Sequence, residues 1–224
     1  MSESRRLEDE AVGFADNREP RCPCILLLDV SGSMSGAPIK ALNDGLRIFR
    51  DDLNKDGLTK KRVEVAIVTF ESEVEVVQDF VTADKFQPPT LEVGGLTYMG
   101  KGINKALDIL QARKASYKAN AISYYRPWIF MITDGSPSDN EVVDRAAQRI
   151  RDEEARKKVA FFAVGVEEAA NMTRLSQIVV RPPMKLTGLN FEEMFLWLSG
   201  SMSGVSNSQL DEQVPLEPPG WGSV

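Results

Sequence analysis

Apolar and polar positions in this chain follow two different periods, and the switches between them mark out its elements. Cys22–Asp29 carries the unbroken run Ile25-Leu26-Leu27-Leu28 and stops at Asp29. Val63–Phe70 and Trp128–Thr133 are similar runs, and Val159–Val166 is another. Apolar runs of this length, bounded by Gly, Ser or Pro, predict buried strands. Between them the spacing widens to three and four. Pro38 opens a helix, since its fixed φ suits the first turn, and Ile39, Leu42, Leu46, Phe49 and Leu53 form one apolar stripe closed by Asn54–Gly57. A second helix starts near Gly100 with Ile103, Leu107 and Leu110 on its buried side. A third, capped by Ser138 or Asp139, buries Val143, Ala146, Ala147 and Ile150. Asn171–Val179 reads as a short helix, Met184–Thr187 as a last edge strand and Phe191–Leu198 as a last helix. Val74–Val77, with its Glu and Gln neighbours, reads as a short edge strand joined to its predecessor by a hairpin through Glu71–Glu73. Thr82–Gly95, with two prolines and two glycines, reads as loop.

Strands alternating with amphipathic helices predict an α/β fold, a mostly parallel sheet covered on both faces. In such sheets ligands bind in the crevice outside the carboxyl ends of the strands. Asp29 and Asp134 both stand at such ends. The expected organisation is a polar lead-in over 1–20, one domain over 21–199 and a Pro/Gly/Ser-rich tail over 200–224.

Composition narrows the chemistry. Of 224 residues 42% are hydrophobic and 27% charged, as in an ordinary globular domain, and the net charge of −6 argues against bulk attraction to nucleic acid or an anionic membrane. No apolar run approaches the roughly 18 residues of a membrane span, and Met1–Pro20 lacks a signal-type apolar segment, so a cytoplasmic location is the expectation. The chain has no histidine, which excludes Ser-His-Asp and Cys-His catalysis and histidine-ligated metals. Its two cysteines, Cys22 and Cys24, cannot complete a four-ligand zinc site and read as small buried residues at a strand entrance.

What remains is oxygen chemistry. Asp29, Ser31 and Ser33 follow the first strand as one carboxylate and two hydroxyls, a set that suits a hard divalent cation such as magnesium but makes a weak cage alone. A Ser-Gly-Ser loop after a strand, taken alone, is more often a turn or a helix cap than a metal site. Gly94-Gly95-Leu96-Thr97 adds a glycine-rich loop ending in a third hydroxyl, and Asp134-Gly135 a second carboxylate at a strand end. Met34 and Met99 read as packing beside this locus, Asp139 and Asp144 as a helix cap and a solvated face, and Tyr98 as a candidate contact for a partner.

These three segments, in this order, resemble the von Willebrand factor A (vWA) family. The chain carries its D-x-S-x-S as Asp29-Val30-Ser31-Gly32-Ser33, its metal threonine as Thr97 before the second long helix, and its later aspartate in Ile132-Thr133-Asp134-Gly135. Arg21-Cys22-Pro23, Tyr124-Tyr125-Arg126-Pro127-Trp128 and Phe195-Leu196-Trp197-Leu198-Ser199 are similar to the bacterial TerY/YegL-like branch, named for tellurite-resistance and stress operons. The resemblance covers roughly residues 13–208. It implies a Rossmann-like sandwich with one antiparallel edge strand and a metal-ion-dependent adhesion site (MIDAS) at Asp29, Ser31, Ser33, Thr97 and Asp134. Magnesium is the implied ion, with calcium or manganese able to take its place. It further implies a non-enzymatic module that binds an Asp or Glu of another protein, with a kinase or phosphatase encoded nearby as a candidate, and no nucleic-acid or membrane partner.

Two other readings stand beside it. One is a metal-dependent hydrolase acting on phosphoryl groups, although the chain has no G-x-x-x-x-G-K-[ST] loop and Ser31 occupies the position where an aspartyl-nucleophile phosphatase wants a second acid. The other is a structural domain whose metal only braces the rim loops. For the tail, the prolines and glycines of Gln209–Val224 argue against regular structure, whereas Val214, Leu216 and Trp221 are spaced as apolar anchors of a docking segment or strap.

Overall fold

The four long apolar runs predicted as strands, Cys22–Asp29, Val63–Phe70, Trp128–Thr133 and Val159–Val166, are buried along their whole length, which is why they do not alternate. A computed structural model of the chain describes residues 12–166 and 170–223; the remainder of the lead-in, residues 1–11, and Val224 lie outside the described residues. Strands β1 (Cys22–Asp29), β2 (Val63–Phe70), β3 (Val74–Thr82), β4 (Trp128–Thr133), β5 (Ala160–Gly165), β6 (Met184–Leu186) and β7 (Gly222–Ser223) form one seven-stranded sheet in the order β3-β2-β1-β4-β5-β6-β7. β1 is parallel to both β2 and β4, and β4 to β5 and β5 to β6 are parallel as well. The expected fold class is therefore the observed one. The antiparallel edge strand β3 runs to Thr82, five residues beyond the predicted end at Val77.

Side chains of β1 alternate between two cores. Cys22, Cys24, Leu26 and Leu28 face helix α1 (Ala37–Leu53) and helix α6 (Phe191–Asn207). Ile25 and Leu27 face helices α3 (Met99–Ala119), α4 (Asn140–Ala155) and α5 (Met172–Ile178). A four-residue turn of helix, α2 (Thr59–Arg62), leads into β2. The α1 stripe is buried as the spacing predicts, except that Ile39 is only partly covered. Gly45 lets α1 approach α6 closely: a Cβ there would lie 2.5 Å from the Phe195 ring. Both cysteines are free and buried.

Two parts of the chain depart from expectation. The last helix continues through the boundary read at 199 and ends at Asn207. The segment after it is not a loose tail. Its residues Gly222 and Ser223 pair antiparallel with Leu186 and Lys185, so β6 is not an edge strand. Trp221 is 2% exposed and packs edge-on against Trp197 at 5.7 Å, while Trp197 Nε1 donates to the carbonyl of Glu217 at 2.9 Å. Thr187 N–H donates to the Trp221 carbonyl at 3.1 Å, and Leu216 joins the core beneath α6. Burial of one indole outweighs the backbone irregularity that the prolines impose.

The lead-in also contributes. Phe14 is buried against Tyr117, with ring centroids 5.8 Å apart, and lies beside the Arg21 and Arg113 guanidinium groups. Those two arginines converge on Glu64, a buried carboxylate that accepts from Arg21 Nε at 3.0 Å, from Arg113 Nη2 at 2.7 Å and from the Tyr117 hydroxyl at 2.5 Å. This paired cluster sits at the amino ends of β1 and β2, far from Asp29.

Candidate functional site

The chain leaves β1 toward β2 on one side and reappears as β4 on the other. That reversal opens a crevice at the carboxyl ends of β1 and β4. Asp29 ends β1, and Asp134 follows β4 directly. Asp29 is fully buried. Its Oδ1 accepts the N–H of Ser31 at 2.9 Å, and its Oδ2 accepts the hydroxyl of Thr133 at 2.5 Å. The Ser31 and Ser33 hydroxyls lie 3.1 Å apart, and Ser33 donates to Asp134 Oδ1 at 2.8 Å. Asp29, Ser31, Ser33 and Asp134, which span more than a hundred residues of sequence, therefore share one hydrogen-bonded rim.

Thr97 reaches the same point from the third loop but stands outside that hydrogen-bonded chain. A Cβ at Gly135 would lie 3.5 Å from Thr97 Oγ1 and 3.8 Å from Asp29 Oδ2, so both oxygens flank one spot. The loop is placed by its backbone. Gly95, at φ +56°, allows its carbonyl to accept the Gly32 N–H at 3.2 Å; a side chain there would run into Glu71 and Ser72. Thr97 and Ser138 then bond reciprocally: Ser138 N–H donates to the Thr97 carbonyl at 2.8 Å, and Thr97 N–H donates to Ser138 Oγ at 3.2 Å.

Ser138 and Asp139 thus act differently from the expected helix caps. Asp139 precedes α4 but makes no side-chain cap to it. Its carboxylate accepts instead from the Gly100 and Lys101 N–H groups, at 3.1 and 3.0 Å, and so caps the first turn of α3 from another loop. Asp144 pairs with Arg174 at 2.8 Å. Thr133 was missed in the sequence. Only the parallel pairing of β1 with β4 brings it beside Asp29. Met34 and Met99 are fully buried, as packing residues should be. Tyr98 is half-buried beneath the Lys101 ammonium, which lies 3.9 Å from its ring centroid.

Electrostatically the rim is short of positive charge. Burial pushes the Asp29 carboxyl up from 3.8 to about 6, against the hydrogen bonds from Ser31 and Thr133, and Asp134 adds a further upward push. Burial also raises Asp134, opposed by the Ser33 hydroxyl. No Lys or Arg among the described residues offsets either carboxylate. Two buried carboxylates beside three neutral hydroxyls are a donor set that fits a hard divalent cation. The described residues contain no group of three Asp, Glu, His or Cys side chains for a metal. Any metal at this rim therefore depends on the hydroxyls.

A family model for the von Willebrand factor type A domain matches residues 24–194. The mouse collagen alpha-5(VI) chain is 26% identical over 198 residues, covering 85% of this chain and 7% of that one. A von Willebrand factor type A structure from Catenulispora acidiphila superposes with a TM-score of 0.64 at 18% identity, covering 83% of this chain and 43% of the other. Proximal thread matrix protein 1 from the mussel byssus, whose structure has a zinc-occupied MIDAS motif, superposes with a TM-score of 0.53 at 15% identity, covering 82% and 47%. The chain spans less than half the length of each of these relatives.

Proposed function

Because this chain belongs to the von Willebrand factor type A domain family, a family of protein-interaction modules, we propose that its rim binds magnesium through Asp29, Ser31, Ser33, Thr97 and Asp134 and captures an acidic residue of a partner protein. The observation that carries this reading is the convergence of two buried carboxylates and the serine hydroxyls on one hydrogen-bonded rim, with no Lys or Arg among the described residues offsetting the carboxylates. In it, Ser31, Ser33 and Thr97 supply neutral oxygens, and Asp29 and Asp134 supply the charge. A divalent ion held by few anionic ligands stays electrophilic, so an incoming carboxylate binds it strongly. Calcium or manganese would meet the same donors.

Within the family we place the chain in the TerY/YegL-like branch, acting in a cytoplasmic stress or phosphorylation-signalling assembly. What supports this reading is the likeness of the three motifs around Arg21, Tyr125 and Trp197, each of which has a structural role in the fold. Arg21 holds Glu64, the Tyr125 hydroxyl donates to the Ser208 carbonyl at 2.7 Å, and Trp197 seats the C-terminal strap. The test is calorimetric titration of magnesium into the wild type and Asp29→Ala, joined to capture of a partner from source cells with and without chelator. Magnesium affinity unchanged in Asp29→Ala rejects the metal assignment. Capture indifferent to chelator rejects metal-bridged binding.

A further inference from the structure

At the opposite end of the sheet, where β4 and β5 begin, lies a cleft of about 440 Å³. Its walls are the C-terminal turns of α3 and α4 and the segment just before β4. Lys114, Lys118, Arg126, Lys157 and Lys158 face it, against only Glu153 and Asp211. In a chain of net charge −6 this is a local reversal of sign.

Helix ends attract cations, and that accounts for part of the set. Arg126 Nε donates to the Val159 carbonyl at 2.7 Å, and its guanidinium lies 3.6 Å from Glu154. Lys114 and Lys158 share Glu153, at 3.6 and 3.8 Å, and Lys114 Nζ also donates to the Lys158 carbonyl at 3.4 Å. Lys118 and Lys157 are exposed and make no ion pair among the described residues. Lys157 also holds φ +55°, a left-handed conformation at the end of α4 where glycine is usual. There the Lys157 and Lys158 N–H groups close the helix on the Glu154 and Glu153 carbonyls, at 2.9 and 2.8 Å. The lysines also repel one another. Burial lowers the Lys114 pKa, and Lys158 and Lys118 lower it further, against attraction to Glu153.

We infer that this cleft is a second binding site, for the phosphoryl group of a phosphorylated ligand, independent of the metal rim. Several converging ammonium groups with too few acids favour a compact anion of more than one charge. A phosphate monoester carries about −1.5 to −2 and three acceptor oxygens, which a single carboxylate does not match. Tyr124, half-buried against Tyr117 with ring centroids 5.2 Å apart, and Pro127 give the uncharged part of the ligand an apolar wall. The cleft's size is that of a small-ligand or side-chain pocket.

The phosphoryl group can come from a small molecule or from a phosphorylated protein. Two probes separate these sources: inorganic pyrophosphate, and a phosphoserine peptide with its unphosphorylated twin. Both are titrated by calorimetry into the full chain, without divalent ions and at low ionic strength. At least one probe is expected to bind saturably at one site, with affinity falling as salt rises. Lys118→Glu/Lys157→Glu should weaken it about tenfold or more, since each change replaces attraction by repulsion at close range. Asp29→Ala should leave it unchanged. Binding of pyrophosphate identifies a small-molecule site; binding of the phosphopeptide alone identifies a phosphorylated partner. Should the charge-reversed protein fail to fold, Lys118→Gln/Lys157→Gln removes the charge without adding repulsion. Absence of saturable binding by either probe, or equal affinity in the double variant, overturns the proposal.

Discussion

Replacing Asp29 by Asn should make the metal-free protein more stable at neutral pH, although it removes a residue assigned to the site. Burial carries the Asp29 carboxyl from 3.8 to about 6. At ~1.4 kcal/mol per pH unit, the ionised form then costs the folded state about 3 kcal/mol. Because the folded-state pKa lies above the unfolded one, the folded chain holds this proton more tightly. The associated stability is complete below about pH 4 and is lost as the pH rises through 6. Asn carries no charge to bury. It keeps only one of the two acceptors that meet Ser31 N–H and the Thr133 hydroxyl, a loss of about 1 kcal/mol. In chelator near pH 8, Asp29→Asn should therefore unfold with about 1–2 kcal/mol more stability than the wild type, a rise in Tm of several degrees for a chain of this size. Near pH 4 that advantage should vanish. Saturating magnesium should reverse the order, since it stabilises the folded wild type by mass action and the variant lacks the charge that holds it. Denaturant unfolding at both pH values, with chelator and with magnesium, measures all four differences. Asp29→Asn less stable than the wild type in chelator near pH 8, or an equal magnesium gain in both proteins, would refute the argument that Asp29 is an uncompensated buried charge awaiting a cation.

Thr97→Ala should weaken partner capture while leaving Tm nearly unchanged, because Thr97 is positioned by backbone bonds to Ser138 and its hydroxyl lies outside the hydrogen-bonded rim; a matched pull-down and melt decide it. Glu64→Gln should destabilise by about 3–5 kcal/mol in denaturant unfolding, since it leaves the Arg21 and Arg113 charges buried without their carboxylate. Trp221→Ala should cost about 3–5 kcal/mol and speed hydrogen exchange at Thr187, whose N–H is held by the Trp221 carbonyl; an unchanged exchange rate would mean that the strap is not closed in solution.

The elements and their order were legible in the chain because each run's period reports its surroundings. A strand buried on both faces is apolar along most of its length, as β1, β2 and β4 are, with Asp29, Glu64, Thr69 and Thr133 their polar positions. The stripe at three- and four-residue spacing in α1 could bury only one face. The positions of Asp29 at the end of one such strand and Asp134 just past another followed from the same local pattern. Pairing across distance was not legible. Thr133 meets Asp29 only because β4 lies next to β1 in register. Asp139 precedes one helix yet caps another, since its carboxylate meets the nearest unsatisfied N–H groups in space, whichever helix they belong to. The Pro-rich tail supplies a strand because β6 had an open edge and the core a place for an indole. Composition by itself determined which chemistry was possible: no histidine, two cysteines and a few well-placed oxygens. Local sequence determined where each element begins. Which oxygens meet, which carboxylates lose water and where lysines crowd together were decided by tertiary packing, because burial and distance between remote residues exist only once the chain has folded.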